Sequence, residues 1–204
     1  LRTALTDETG TGAAVFATSP TLTTPVITGG SISGATIDGV TLESEPIFLV
    51  CSGQSNAVLF PSYSWDPPAN LLVWNGSAFA AASATDIGIS TAWAAYIARA
   101  NPTRPAYLVY NGFGGAAISS WKTPGAGLYD SLETSVVAGL AAAGLSTIDG
   151  LLWWQGEADY ASSTYVSDFE TVHANWRAET WFPYNTPIVM MGVTHYLETV
   201  DAAA

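Results

Sequence analysis

Short unbroken apolar blocks alternate along this chain with longer stretches whose apolar positions recur every three or four residues. Ile47-Phe48-Leu49-Val50-Cys51 is the first block. Runs of this length bounded by turn residues read as strands buried on both faces. Residues 106–110, 150–154 and 187–193 read the same way, and Pro105 precedes the first of these. Between the blocks lie stretches with helical spacing. In 90–100, Trp93, Tyr96, Ile97 and Ala100 share a face, and Ser90 is placed to cap the helix. Residues 128–143 are rich in alanine, with Leu132, Val136, Val137 and Leu140 on one side. Residues 164–181 carry Tyr165, Phe169, Val172, Trp176 and Thr180 at helical intervals. Leu71-Leu72-Val73-Trp74, Asn75-Gly76 and Ser77-Ala78-Phe79 predict a hairpin turning at Asn-Gly. Buried strands alternating with helices predict an α/β fold, a parallel three-layer α/β/α sandwich whose sheet is covered on both faces. In such sheets, functional groups gather at the carboxyl ends of the strands.

Residues 1–45 follow another pattern. They are rich in Thr, Ser, Gly and Ala and contain no Trp or Tyr. Ile27, Ile32, Ile37 and Leu42 recur at intervals of five, with Gly or Ser between them. Such short extended pieces cannot bury their apolar side chains alone. Two readings stay open: an extended attachment segment that associates with identical copies about an axis, or a Gly/Ser-rich linker. The chain therefore divides into residues 1–45 and an α/β domain over 46–204.

Composition narrows the function. Of 204 residues, 49% are hydrophobic, enough for a packed core, and only 11% are charged, against roughly 25% in an ordinary domain. The net charge is −12 with five Lys+Arg. Five cations cannot neutralise a phosphate backbone, so no nucleic-acid partner is expected. Neutral or cationic glycans remain compatible. Cys51 is the single cysteine. An internal disulfide is therefore impossible, and packing as a small hydrophobe is its expected role. No run of ~18 apolar residues predicts membrane insertion. His173 and His195 are 22 residues apart with no Cys beside them. No Gly-Lys-Ser/Thr loop or dinucleotide fingerprint occurs, so neither metal nor cofactor is expected. The chain starts at Leu1-Arg2-Thr3 without an initiator Met or a signal-peptide core, which reads as a start inside a longer protein.

The chemistry gathers at three strand ends. The first strand runs into Gly53-Gln54-Ser55-Asn56, the second into Asn111-Gly112-Phe113-Gly114-Gly115, and the third into Gln155-Gly156-Glu157-Ala158-Asp159. A serine on a tight turn after a buried strand meets the requirements of an activated nucleophile. Ser52, Ser55 and Asn56 also suit the plainer role of turn formers. Gly114-Gly115 reads either as an ordinary loop or as backbone that approaches a substrate without a Cβ in the way.

Gly53-Gln54-Ser55-Asn56, Gly114-Gly115 followed by Trp121, and Trp153-Trp154-Gln155-Gly156-Glu157, in this order, resemble the SGNH (GDSL-like) hydrolase superfamily. The match is to its branch of sialate O-acetylesterases and acetylxylan esterases. It covers about residues 46–195. The resemblance implies a serine carbohydrate O-acetylesterase in which Ser55 attacks the ester. The backbone N–H groups of Ser55 and of Gly114 or Gly115, with the Gln155 side-chain amide, would face the oxyanion. Glu157 would orient the base or brace the site; as an ordinary loop carboxylate it would do neither. Asp159 is equally well a solvated loop carboxylate. Gln54, Asn56, Trp121 and His195 fall on the substrate side, with Gln54 and Asn56 also bracing the turn. Among the aromatics, Trp65, Trp74, Trp121 and Tyr160 are candidates for stacking on sugar, although most aromatic residues should be core.

The base is the point of departure from the family. A serine nucleophile needs an imidazole, and the family supplies it from an Asp-x-x-His segment near the carboxyl terminus. Here Asp201 is followed three residues later by Ala204. His173 falls mid-helix and reads as structural, whereas His195 follows the fourth strand on the site side. The expectation is a domain incomplete at its C-terminus. The other possibility is a domain that has lost its base. Thr3-Ala4-Leu5-Thr6-Asp7-Glu8-Thr9-Gly10-Thr11-Gly12-Ala13-Ala14-Val15-Phe16-Ala17-Thr18-Ser19-Pro20-Thr21-Leu22 resembles a segment of bacteriophage tail-fibre and tail-spike proteins. That likeness implies a homotrimeric fibre or spike on a virion, bound to other virion proteins and acting on acetylated polysaccharide at the host surface. A non-catalytic glycan-binding adhesin on the same fold is the alternative, and a purely structural trimerising element is a further one.

Overall fold

The computed structural model of the protein describes residues 45–57, 66–86 and 88–191. The expected fibre segment, apart from Glu45, lies outside the described residues, as do Trp65, His195, Asp201 and the end of the expected fourth strand. Six strands, β1 (Ile47–Gln54), β2 (Leu71–Trp74), β3 (Phe79–Ala81), β4 (Ala106–Phe113), β5 (Gly150–Trp154) and β6 (Ile188–Met190), form one sheet ordered β3-β2-β4-β1-β5-β6. The described helices are α1 (Ile89–Ala100), α2 (Gly127–Ala143) and α3 (Tyr165–Ala178).

The α/β architecture matches the apolar pattern, but the sheet is mixed rather than wholly parallel. β3 runs antiparallel to β2, while every other pair is parallel. The physical reason is loop length: a short hairpin can join only antiparallel strands, and a parallel pair needs a crossover. Asn75 closes that hairpin, with its N–H donating to Ala78 O at 3.0 Å and its Oδ1 accepting from the Ala78 N–H at 2.9 Å.

β1 is buried along its whole length, and its side chains alternate between two cores. Phe48 and Val50 join Leu132, Val136 and Leu140 of α2 and Val172 and Trp176 of α3. Leu49 and Cys51 join Ala94, Ala95 and Ala98 of α1. One layer of helix therefore covers each face. Gly139 lets α2 lie close, since a Cβ there would sit 2.8 Å from Val109 Cγ2. Trp153 organises the α2/α3 side, meeting Trp121 at 5.2 Å and Trp176 at 5.1 Å, both edge-to-face.

Several sequence expectations shift locally. Ser90 lies inside α1 and is buried, and the cap position is Gly88. Val137 faces solvent, and Gly139 takes a place on the buried face of α2. Thr180 is outside α3, which stops at Ala178. The chain must leave the helix there so that Trp181 O can accept the Ile148 N–H at 3.0 Å. Asn111, Gly112 and Phe113, read as a turn, continue β4 alongside Ser52, Gly53 and Gln54.

Trp176 is 1% exposed and contacts three aromatic neighbours, Trp153, Phe169 and Phe182. Trp176→Ala should therefore destabilise the domain by about 3–5 kcal/mol, measured by chemical denaturation.

Candidate active site

Gly53 ends the regular part of β1 at φ 135°, and a Cβ there would lie 1.9 Å from the carbonyl oxygen of Trp154. No other residue fits. The close approach lets β1 run between β4 and β5 to its last residues. Gly53 sits opposite Gly112 on one side and Trp154 on the other. The three strand ends singled out in the sequence therefore meet at one point of the sheet.

Beyond Gln54 the chain makes a 3-10 turn, Ser55–Ala57. Ala57 is fully buried, and its carbonyl accepts from Cys51 Sγ at 3.3 Å. Burial pushes the Cys51 thiol well above its usual range, so it stays a neutral donor. Ser52 is also fully buried and donates to Asn111 O at 2.9 Å. Asn56 Nδ2 donates to Glu157 Oε1 at 2.6 Å. Ser55 is half-buried, and its hydroxyl has no hydrogen-bond partner among the described residues.

A carboxamide and carboxylate network locks the other two strand ends to this turn. Gln54 Oε1 accepts from the Ala158 N–H at 2.8 Å, the Gly156 N–H at 3.3 Å and Gln155 Nε2 at 3.4 Å. Gln155 Nε2 also donates to Ala116 O at 3.1 Å and to Asp159 Oδ2 at 2.5 Å. Asp159 Oδ2 accepts the Ile118 N–H at 2.7 Å as well. All three neighbours of Gln155 Nε2 are acceptors, which fixes the orientation of the amide. Three acceptors for two hydrogens leave nothing to donate elsewhere. Gln155 Oε1 and Glu157 Oε2 are buried without a hydrogen-bond partner among the described residues.

The family described as carbohydrate esterase, sialic acid-specific acetylesterase, matches residues 51–203. The chain belongs to this family. No curated protein matches it. Among solved structures, a protein from Arabidopsis thaliana is similar with a TM-score of 0.61 at 20% identity, over 78% of this chain and 80% of that one. NanS is similar with a TM-score of 0.60 at 15% identity, over 78% and 71%. A carbohydrate acetylesterase from Xanthomonas citri is matched over 71% of this chain and 40% of its own length, with a TM-score of 0.48 at 21% identity. The first two likenesses show that this α/β fold is shared.

For a carbohydrate esterase, several residues stand elsewhere than the sequence suggested. Trp121 is not a sugar platform: it is fully buried against Trp153. Gln155 has no N–H left to give an oxyanion, because its nitrogen is saturated by Ala116, Asp159 and Gln54. Gln54 and Asn56 brace the turn through Ala158 and Glu157. Glu157 accordingly holds Asn56, next to Ser55. Asp159, weighed as a solvated carboxylate, instead ties the β5 end to the loop after β4. The four-residue spacing from Gln155 to Asp159, which closes the short helix Glu157–Asp159, was the signal available for it.

Gly114 and Gly115 follow Phe113 at the end of β4, and beyond their chain neighbours no atom of the described residues lies within 4 Å of a Cβ built at either. Gly115 has φ 65° and needs glycine for its conformation, whereas Gly114 shows no positive φ. His173 lies in α3, where its Nε2 accepts from Arg177 Nε at 3.0 Å. Burial and the Arg177 charge hold its pKa below the usual histidine value.

Gly53→Ala should prevent folding, whereas Gly114→Ala should leave stability within about 0.5 kcal/mol, by thermal melts of both. Asp159→Ala should cost about 1–3 kcal/mol by leaving the Ile118 N–H unpaired, and Asp159→Asn should recover most of it, measured by denaturant titration.

Proposed function

We propose that the protein is a serine carbohydrate O-acetylesterase with Ser55 as nucleophile. One observation carries this reading: where Cys51, Ser52 and Gln54 of β1 and Asn56 of the turn each have a hydrogen-bond partner, the Ser55 hydroxyl has none among the described residues. The family membership supplies the reaction class.

In the proposed mechanism, Ser55 Oγ attacks the acetyl carbonyl and its proton passes to an imidazole. The oxyanion is met by the Ser55 backbone N–H and by that of Gly114 or Gly115, each worth about 3 kcal/mol in the transition state. The sugar hydroxyl leaves with the proton, and water then releases acetate from the acetyl-serine. His173 is committed to Arg177, so the base belongs to residues outside those described. We further place this enzyme on a homotrimeric fibre or spike of a virion, acting on acetylated polysaccharide at the host surface. What supports that setting is the likeness of residues 3–22 to tail-fibre proteins.

The test is acetate release from 4-nitrophenyl acetate and from acetylated polysaccharide by the full-length protein and Ser55→Ala. The variant should lose at least about 1,000-fold in kcat. Equal rates overturn the assignment of Ser55. Polysaccharide binding without acetate release assigns the domain to an adhesin instead.

A further inference from the structure

We infer that the sugar taken by this site is uncharged and that it stacks on Tyr160. The inference rests on the esterase reading and narrows its substrate class. A hollow of about 430 Å3 opens at the carboxyl ends of β5 and β6, lined by Gln155, Asp159, Tyr160, Ser162, Tyr165 and Met190 among others. β5 pairs with β1, and β6 with β5. At the usual strand spacing the hollow is therefore about 5–10 Å across the sheet from the Ser55 turn. An acetyl group at Ser55 would leave its sugar within reach of the hollow.

The walls suit a polyol. Tyr160 is 61% exposed and Met190 50% exposed, an apolar surface for the C–H face of a sugar ring. Ser162 lies beside it, its hydroxyl paired with Thr164 Oγ1 at 3.1 Å. The frame is rigid, because Asp159 is held by Ile118 and Gln155, and Tyr165 Oη donates to Gln155 O at 2.8 Å. Of the four aromatics read as sugar platforms, Trp121 is buried and Trp74 packs on Phe79 at 5.1 Å. Trp65 lies outside the described residues, so of the three that are described Tyr160 is the exposed one.

The charges select against an acid sugar. The family's description names sialic acids, which carry a carboxylate that wants a cation. The chain has five Lys+Arg. Four are described, and none lines the hollow; their bonds lie elsewhere, Arg99 to Asp66 O, Arg104 to Glu45 O, Lys122 to Asp168 and Arg177 to Thr186 O. The fifth, Arg2, lies outside the described residues. The charged residue lining the hollow is Asp159, two positions after Glu157. Two carboxylates beside the site and a net charge of −12 oppose an anionic ligand.

The full-length protein is assayed on acetylated methyl β-xyloside, on 9-O-acetylated sialic acid and on 4-nitrophenyl acetate. The neutral sugar should exceed the sialic acid in kcat/KM by at least about tenfold. Parity, or preference for the sialic acid, overturns the inference. Tyr160→Ala should lower kcat/KM on the xyloside about tenfold relative to that on 4-nitrophenyl acetate, and Tyr160→Trp should restore the ratio. An unchanged ratio removes Tyr160 from the sugar site. Should the protein and Ser55→Ala hydrolyse 4-nitrophenyl acetate equally, the esterase reading fails. Calorimetric titration of the Ser55→Ala chain with methyl β-xyloside and with sialic acid then reads the substrate class directly. Tighter binding of the neutral sugar upholds it, and equal or tighter binding of the acid overturns it.

Discussion

The missing side chain at Gly53 is the constraint on which the site depends. With the Trp154 carbonyl 1.9 Å from where a Cβ would be, β1 and β5 can stay paired to their last residues only if that position is glycine. Because they stay paired, Gln54 emerges beside the turn after β5, and its one carboxamide oxygen reaches two backbone N–H groups of that turn. The Ser55 turn is thus referenced to the neighbouring strand as well as to its own. The nucleophile proposed at Ser55 would gain its positioning from this frame.

The aromatic core behind the sheet makes the frame stiff. Trp153 points into the α2/α3 side while its neighbour Trp154 supplies the carbonyl over Gly53. The same short strand therefore carries both the packing and the close approach. Trp121 sits on the loop side of this cluster, so the short helix that follows Gly114-Gly115 is anchored by a buried indole rather than by polar contacts alone. Packing at interior density transmits position, which links the fully buried Trp153 to the loop glycines through Trp121.

Polar groups around the turn fall into two kinds. Gln54, Asn56, Gln155, Glu157 and Asp159 are bonded to one another and to backbone, and they define shape. Ser55 and the Gly114-Gly115 segment carry no such commitments among the described residues. The hydroxyl proposed as nucleophile is thus left uncommitted while most of its framework is paired, Gln155 Oε1 and Glu157 Oε2 excepted. Its charge is one-sided, with carboxylates close by and the described cations engaged elsewhere.

Much of this was legible along the chain. The apolar blocks at 47–51, 106–110 and 150–154 are strands because a run apolar on both faces has no other stable place than a covered sheet. The Gly-Gln-Ser-Asn, Gly-Gly and Gln-Gly-Glu turns marked the strand ends that matter, because turn residues and hydrogen-bonding groups occur there together. What no linear pattern contains is which strands are neighbours. The order β4-β1-β5 made three distant turns into one site and decided the roles within it. It spent the Gln155 amide on Asp159 and Ala116, buried Trp121, and left Tyr160 exposed. Side-chain chemistry is a property of the residue and is readable in one dimension. Whether a donor is free or consumed depends on what lies within 3 Å, and only the folded chain settles that.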